Sequence, residues 1–142
     1  MGEVQLGQLA LQKGSSDDIK KFAQRMVDDH TKANQQLQQI ASTSGVSISQ
    51  QPSAGVESAK QQLSAISGQA FDQFYMALML QGHDSALSEF TREKLVGQNT
   101  NLKNFVDSTL PVLQDHLNTV RGIINAQNAP AKPSAQPTST TP

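Results

Sequence analysis

Residues 45–68 read "GVSISQQPSAGVESAKQQLSAISG", and the length of this stretch decides how the rest of the chain folds. It opens and closes on glycine, carries Pro52 and Gly55 as punctuators, and holds one short amphipathic piece, "VESAKQQLSAI". Neighbouring helices of a bundle are joined by about two to eight residues, so a connection this long does more than turn a corner. With a helix of its own it can run the length of a bundle and return the chain to its starting end. The long helices on either side are then parallel, which is the one-crossover topology of ferritin-like bundles. The alternative is an up-down bundle in which the stretch is a slack loop.

The flanks supply those long helices. Ahead of it, Ile19, Ala23, Met26, His30, Ala33, Leu37 and Ile40 recur in steps of four and three, the seam of a helix running from about Asp17 to Ser44. A first helix, Gly2 to Lys13, stops at Gly14, and "GSSDD" provides the stop, an N-cap serine and two first-turn carboxylates. So short a break makes the two helices antiparallel. Beyond the crossover, "AFDQFYMALMLQGHDSALSEFTREKLV" is strongly periodic and ends near Gly97, and "QNTN" leads into a last helix from about Leu102 to Ala126. No segment reads as a strand. The predicted class is all-α: one bundle domain over residues 1–127, followed at 128–142 by "NAPAKPSAQPTSTTP", whose Pro/Ser/Thr-rich composition predicts a disordered tail.

Composition narrows the function classes. The 142 residues include no cysteine, which excludes a disulfide framework, a thiolate metal site and a cysteine nucleophile. Lysine and arginine total 11 against 12 acidic residues, with no basic cluster, so nucleic acid is not an expected partner. No transmembrane segment is expected, because the longest apolar run, "YMALMLQG", falls far short of the roughly 20 residues a membrane-spanning helix needs. A protein partner or a homo-oligomer stays open. Hydrolase signatures such as Gly-x-Ser-x-Gly and His-Glu-x-x-His are absent, and the balance is against an enzyme.

The three histidines fall one on each long helix. His30 and His116 occupy seam positions, the latter in the series Leu102, Val106, Thr109, Leu113, His116, Val120 and Ile123; His83 follows Met79 and precedes Ala86 and Phe90 at the same spacing. Glu3, the single acid of the first helix, precedes Leu6 and Ala10 on its apolar side. In the crossover topology, a rise of 1.5 Å per residue puts all four at depths within about 6 Å of one another. Glu3, His30, His83 and His116 are therefore the candidate metal ligands. Three nitrogens and one oxygen suit a single divalent transition metal, Zn, Fe, Cu or Mn. A buried network of hydrogen-bonded polar groups is the competing account, since an imidazole on an apolar face is commonly a satisfied core residue.

The di-iron pattern of Glu-x-x-His pairs is missing: residues 27, 80 and 113 are Val27, Leu80 and Leu113. Asp29, Asp84 and Asp115 adjoin the histidines in sequence but point about 100° away around a helix. They read as solvated charges or, at most, as groups that orient an imidazole. Gly82 suggests a close helix approach or simple tolerance, and Pro111 removes one helical hydrogen bond a turn before His116.

The segments "GEVQLGQLALQKGSSDDIKKFAQRMVDDHTKAN", "ISGQAFDQFYMALMLQGHDSALSEF" and "TLPVLQDHL" resemble the bacterial family known as domain of unknown function 4142, over about residues 2–126. The resemblance implies an exported, periplasmic bundle grouped with ferritin-like folds, without an established biochemical role. Members usually carry a signal and further turns before "EVQLGQLA", which this sequence lacks, so the location follows from the resemblance alone. Two functions stand side by side: a metal-binding envelope protein in metal handling or stress protection, and a non-catalytic structural or interaction module with a polar, histidine-containing core.

Overall fold

The computed structural model describes residues 1–129. Among them are five helices, α1 (Gly2–Lys13), α2 (Asp17–Thr43), α3 (Ala54–Ser64), α4 (Gly68–Val96) and α5 (Thr100–Asn128), and no strand. The chain is all-α. The tail expected over 128–142 lies, from residue 130 onward, outside the described residues.

Three helices, α2, α3 and α5, start where a side chain takes an orphaned backbone N–H. Ser16 accepts from Ile19 N at 3.3 Å, Ser53 from Val56 N at 3.3 Å and Asn99 from Leu102 N at 3.0 Å. The Ser53 cap starts α3 two residues before its apolar pattern begins. Asp17 and Asp18 sit at the positive end of the α2 dipole. Pro111 does not end α5; it and Asp107 are both exposed, so water can take the carbonyl that the missing N–H leaves free.

The turn between α1 and α2 needs a glycine for space. Gly14 has φ −56°, open to any residue, but a Cβ there would lie 2.7 Å from the Ala10 carbonyl and 2.8 Å from Ile19 Cγ2. The next residues are tied down by Asp72 of α4, a buried carboxylate that accepts from Ser15 N at 2.9 Å and Ser15 Oγ at 2.6 Å.

Helix directions follow from contacts at successive levels. Phe22 meets Tyr75 with ring centroids 6.3 Å apart, and eight residues further along both helices His30 meets His83 at 5.7 Å. Hence α2 and α4 are parallel. In contrast, α5 runs against α4, pairing Phe90 with Phe105 at 5.9 Å and Asp84 with Arg121 at 3.2 Å. Between the parallel pair, α3 lies along α1 in the same direction: Val56 sits against Gly2, Lys60 bonds Gln5 at 3.2 Å, and Lys13 donates to the Ser64 carbonyl. Leu63 fastens this crossover to the core with no exposed surface. Residues 45–68 thus carry the chain from one end of the bundle back to the other, a connectivity compatible with a ferritin-like arrangement.

The deepest core, including Ile19, Met26, Phe71, Tyr75, Met76 and Met79, fills the half of the bundle below the histidines. Above them Ala33, Leu37 and Ile40 of the α2 seam are only half-buried.

Candidate metal centre

The histidine level interrupts an apolar interior that continues beyond it through Leu113, Val106 and Phe105. His30 comes from α2, His83 from α4 and His116 from α5, and their ring centroids form a near-equilateral triangle with sides of 5.7, 5.5 and 5.3 Å. His83 and His116 are buried and His30 is half-buried. One ring nitrogen from each lies within 4.8 Å of the others. The parallel α2/α4 pair sets two of these heights and the antiparallel α4/α5 pair the third.

Hydrogen bonds on the outer side of two rings decide what faces inward. His83 Nδ1 lies 2.8 Å from the Met79 carbonyl oxygen. A carbonyl only accepts, so Nδ1 carries the hydrogen and Nε2 of the neutral ring keeps its lone pair. His116 Nε2 lies 2.9 Å from Asp29 Oδ2. The carboxylate accepts in turn, and His116 Nδ1 is left bare. These two bare nitrogens face each other at 3.3 Å. Two ligands about 2.0–2.1 Å from a tetrahedral ion are separated by about 3.3–3.4 Å, so the spacing already suits one. The third ring contributes His30 Nε2, buried without a hydrogen-bond partner.

Electrostatics keeps these rings neutral. Burial, reinforced by His83 and His116, lowers the His30 pKa to about 3. His83 is lowered by burial against an opposing hydrogen bond to Met79, and His116 by burial against an opposing bond to Asp29. Asp29 shifts the other way from what its own burial favours: the bond from His116 and the Arg25 guanidinium, 3.4 Å away, hold it below the usual carboxylate range. Asp29 is thus a carboxylate that fixes the tautomer of an imidazole from behind, a partner common behind metal-bound histidines.

Glu3 arrives at the same region from α1 without joining the cluster. The group of side chains with mutually close ligating atoms contains His30, His83 and His116 but not Glu3. Its carboxyl sits against Gly82, where a Cβ would lie 3.3 Å from Oε1, so the glycine marks a close approach of α1 to α4. Glu3 Oε2 is buried without a partner, and burial raises the pKa of the acid. Tyr75, whose ionisation is opposed by burial and then by the Glu3 carboxylate, also has a buried, unpartnered hydroxyl.

Sequence spacing brought the three histidines to one depth, and the structure places them together. For Asp29 the sequence left a solvated charge and a group orienting an imidazole side by side; the structure makes it the latter, behind His116 of another helix. The residue lies off the seam and reaches His116 only because α2 and α5 are neighbours. Its position directly before His30 in "DDH" was the available signal. Asp72 and Tyr75, buried polar groups inside "AFDQFYM", had no signal beyond their place in an apolar run.

Comparison with known proteins gives one match. The profile of a family described as Domain of unknown function (DUF4142) covers residues 1–123. The chain belongs to this family. No curated protein and no solved structure matches it. The DUF4142 region takes in the whole histidine level, all three rings and Glu3 included. No helix among the described residues is long and apolar enough to cross a membrane.

Proposed function

We propose that this DUF4142 protein is a metal-binding helical bundle, holding one divalent transition metal through His30, His83 and His116. One observation carries the reading: His83 Nε2 and His116 Nδ1 face each other at 3.3 Å with both outer nitrogens committed to acceptors. Two opposed lone pairs in a buried site repel unless a cation lies between them. A proton is the weaker candidate, because burial disfavours the charged form of either ring. An ion also satisfies His30 Nε2, which otherwise forfeits roughly 1–3 kcal/mol as a buried unpaired group. Zinc, iron, copper and manganese all accept such donors.

Glu3 is the oxygen donor in this proposal: its carboxyl stands outside the histidine group and turns toward it to coordinate, and its Oε2 is buried without a partner. Metal analysis of protein purified without chelator should give one ion per chain, reduced to background in His30→Ala/His116→Ala. Equal, substoichiometric metal in both rules the reading out. Calorimetry in buffers of different ionisation enthalpy separates the donors. Rings that are already neutral release no proton on binding at pH 7, whereas coordination of a protonated Glu3 releases up to one.

With the ion bound, the protein serves metal handling or stress protection in the bacterial envelope. The exported location is part of the proposal and is checked by fractionating cells that express the full-length gene. A non-catalytic module with a polar core is the second reading, favoured by the same buried Glu3 and Tyr75. It predicts that His83→Leu leaves metal content unchanged and stability equal or higher.

A further inference from the structure

The metal reading leaves open whether the ion would be sealed in the bundle or reachable from outside. A cavity of about 220 Å³ lies between α2 and α5, and its wall contains His30 and His116 together with Asp29, Ala33, Thr109 and Val112. His83 is not part of that wall, so the cavity meets the cluster from the side opposite α4. Glu3 lines a different cavity, against α3 and α4. The α2/α5 cavity is large enough to hold several water molecules or a small anion.

The wall has a definite hydrogen-bonding character. Ser108 Oγ and Thr109 Oγ1 both donate to the Phe105 carbonyl, at 2.9 and 2.7 Å. Their hydrogens are used, and lone pairs are what the hydroxyls can offer to an occupant. Asp29 takes its bonds from Arg25 and His116 on Oδ2, which leaves Oδ1 as a further acceptor. Each helix thus provides acceptors for an O–H group beside a histidine: Asp29 next to His30 on α2, and Ser108 and Thr109 on the same helix as His116.

Resting on the metal reading, we propose that the α2/α5 cavity leads to a fifth coordination position, additional to the three imidazoles and Glu3, occupied at rest by water or hydroxide and exchangeable for a small anion. Water fits because it gives its oxygen lone pair to the ion and its hydrogens to the acceptors of Asp29 and Thr109. A small anion displaces it by charge attraction to the ion, with Lys32 of the same wall adding positive charge. His83, behind the cluster, closes the site to entry from the α4 side.

The test uses Co²⁺-loaded protein titrated with azide, with the visible spectrum as readout, and Cu²⁺-loaded protein for water-proton relaxation. Wild type should bind one Co²⁺, change its absorption bands saturably with azide, and show enhanced relaxation from exchanging water. Ala33→Phe, which fills the cavity, should retain one Co²⁺ while azide affinity falls by at least about tenfold. Gln36→Trp, an exposed substitution on the same wall that does not threaten folding, should weaken azide in the same direction. Failure of wild type to bind Co²⁺ overturns the metal reading itself. Stoichiometric Co²⁺ with a spectrum indifferent to azide and no relaxation enhancement overturns only the fifth position. Azide affinity unchanged in both variants overturns the cavity as the route.

Discussion

His30 links the site to stability through pH. Its folded-state pKa, about 3, lies below the ordinary value of 6.5, so the unfolded chain binds the proton more readily. Stability from this group is therefore fully present above pH 6.5 and is lost as pH falls from 6.5 toward 3. The lowered values of His83 and His116 act in the same direction. Denaturation of metal-free protein should show a plateau above pH 6.5 and a steep decline below it. In His30→Gln the decline should shrink by about 3–5 kcal/mol across that interval, from 1.36 kcal/mol per pKa unit. Identical pH profiles for the two proteins would mean that His30 takes up its proton as readily in the fold as in the unfolded chain. Asp29 adds a smaller effect at more acid pH, because its depressed pKa stabilises only above the ordinary carboxylate value.

At the scale of elements, α1 and α4 meet through Glu3 and Gly82. A glycine in mid-helix costs roughly 1 kcal/mol against alanine, yet an added Cβ would stand 3.3 Å from Glu3 Oε1. In a double-mutant cycle, Gly82→Ala should therefore stabilise by about 1 kcal/mol more in a Glu3→Ala background than in the native one. Additive effects would show that the carboxyl yields without cost. The crossover helix α3 offers a second measurement. Leu63 is fully buried, and Leu63→Ala should destabilise by about 2–5 kcal/mol while leaving metal stoichiometry intact. Asp72 joins the α1–α2 turn to α4 through two bonds from Ser15. Asp72→Ala should cost about 3–6 kcal/mol, judged by two hydrogen bonds to a carboxylate worth about 1.5–3 kcal/mol each.

For the whole molecule, the three imidazoles come from three different helices, so an ion holding them ties α2, α4 and α5 together. A ligand that binds only the folded state stabilises it by about 2.7 kcal/mol at a free concentration a hundred times Kd. Thermal unfolding should move upward with Zn²⁺ or Co²⁺, return with chelator, and stay fixed for His83→Ala at every metal concentration. A metal-induced rise of equal size in that variant would place binding elsewhere on the surface. Hydrogen exchange should slow on all three helices at once, because the bound ion makes their opening a shared event.

Much of this was legible in the chain. The steps from Ile19 to Ile40 and from Leu102 to Ile123 report helices because apolar side chains must share one face. The serine of "GSSDD" marks a helix start because the first N–H groups lack partners, whereas the caps Ser53 and Asn99 emerge only in the structure, which starts α3 and α5 two residues before their apolar patterns. The length of residues 45–68 foretold a crossover, and with it the common depth of His30, His83 and His116. Other features depend on which helices become neighbours. Asp29 lies off the α2 seam and acquires its role only because α5 packs beside it. Glu3 has the right face and depth but meets Gly82 and lies outside the histidine triangle, a matter of lateral position that periodicity does not encode. Periodicity and loop length act along the chain and fix faces and heights. Which ring nitrogen stays bare is set by the carbonyl or carboxylate behind it, and for His116 that group belongs to another helix, supplied only by the tertiary structure.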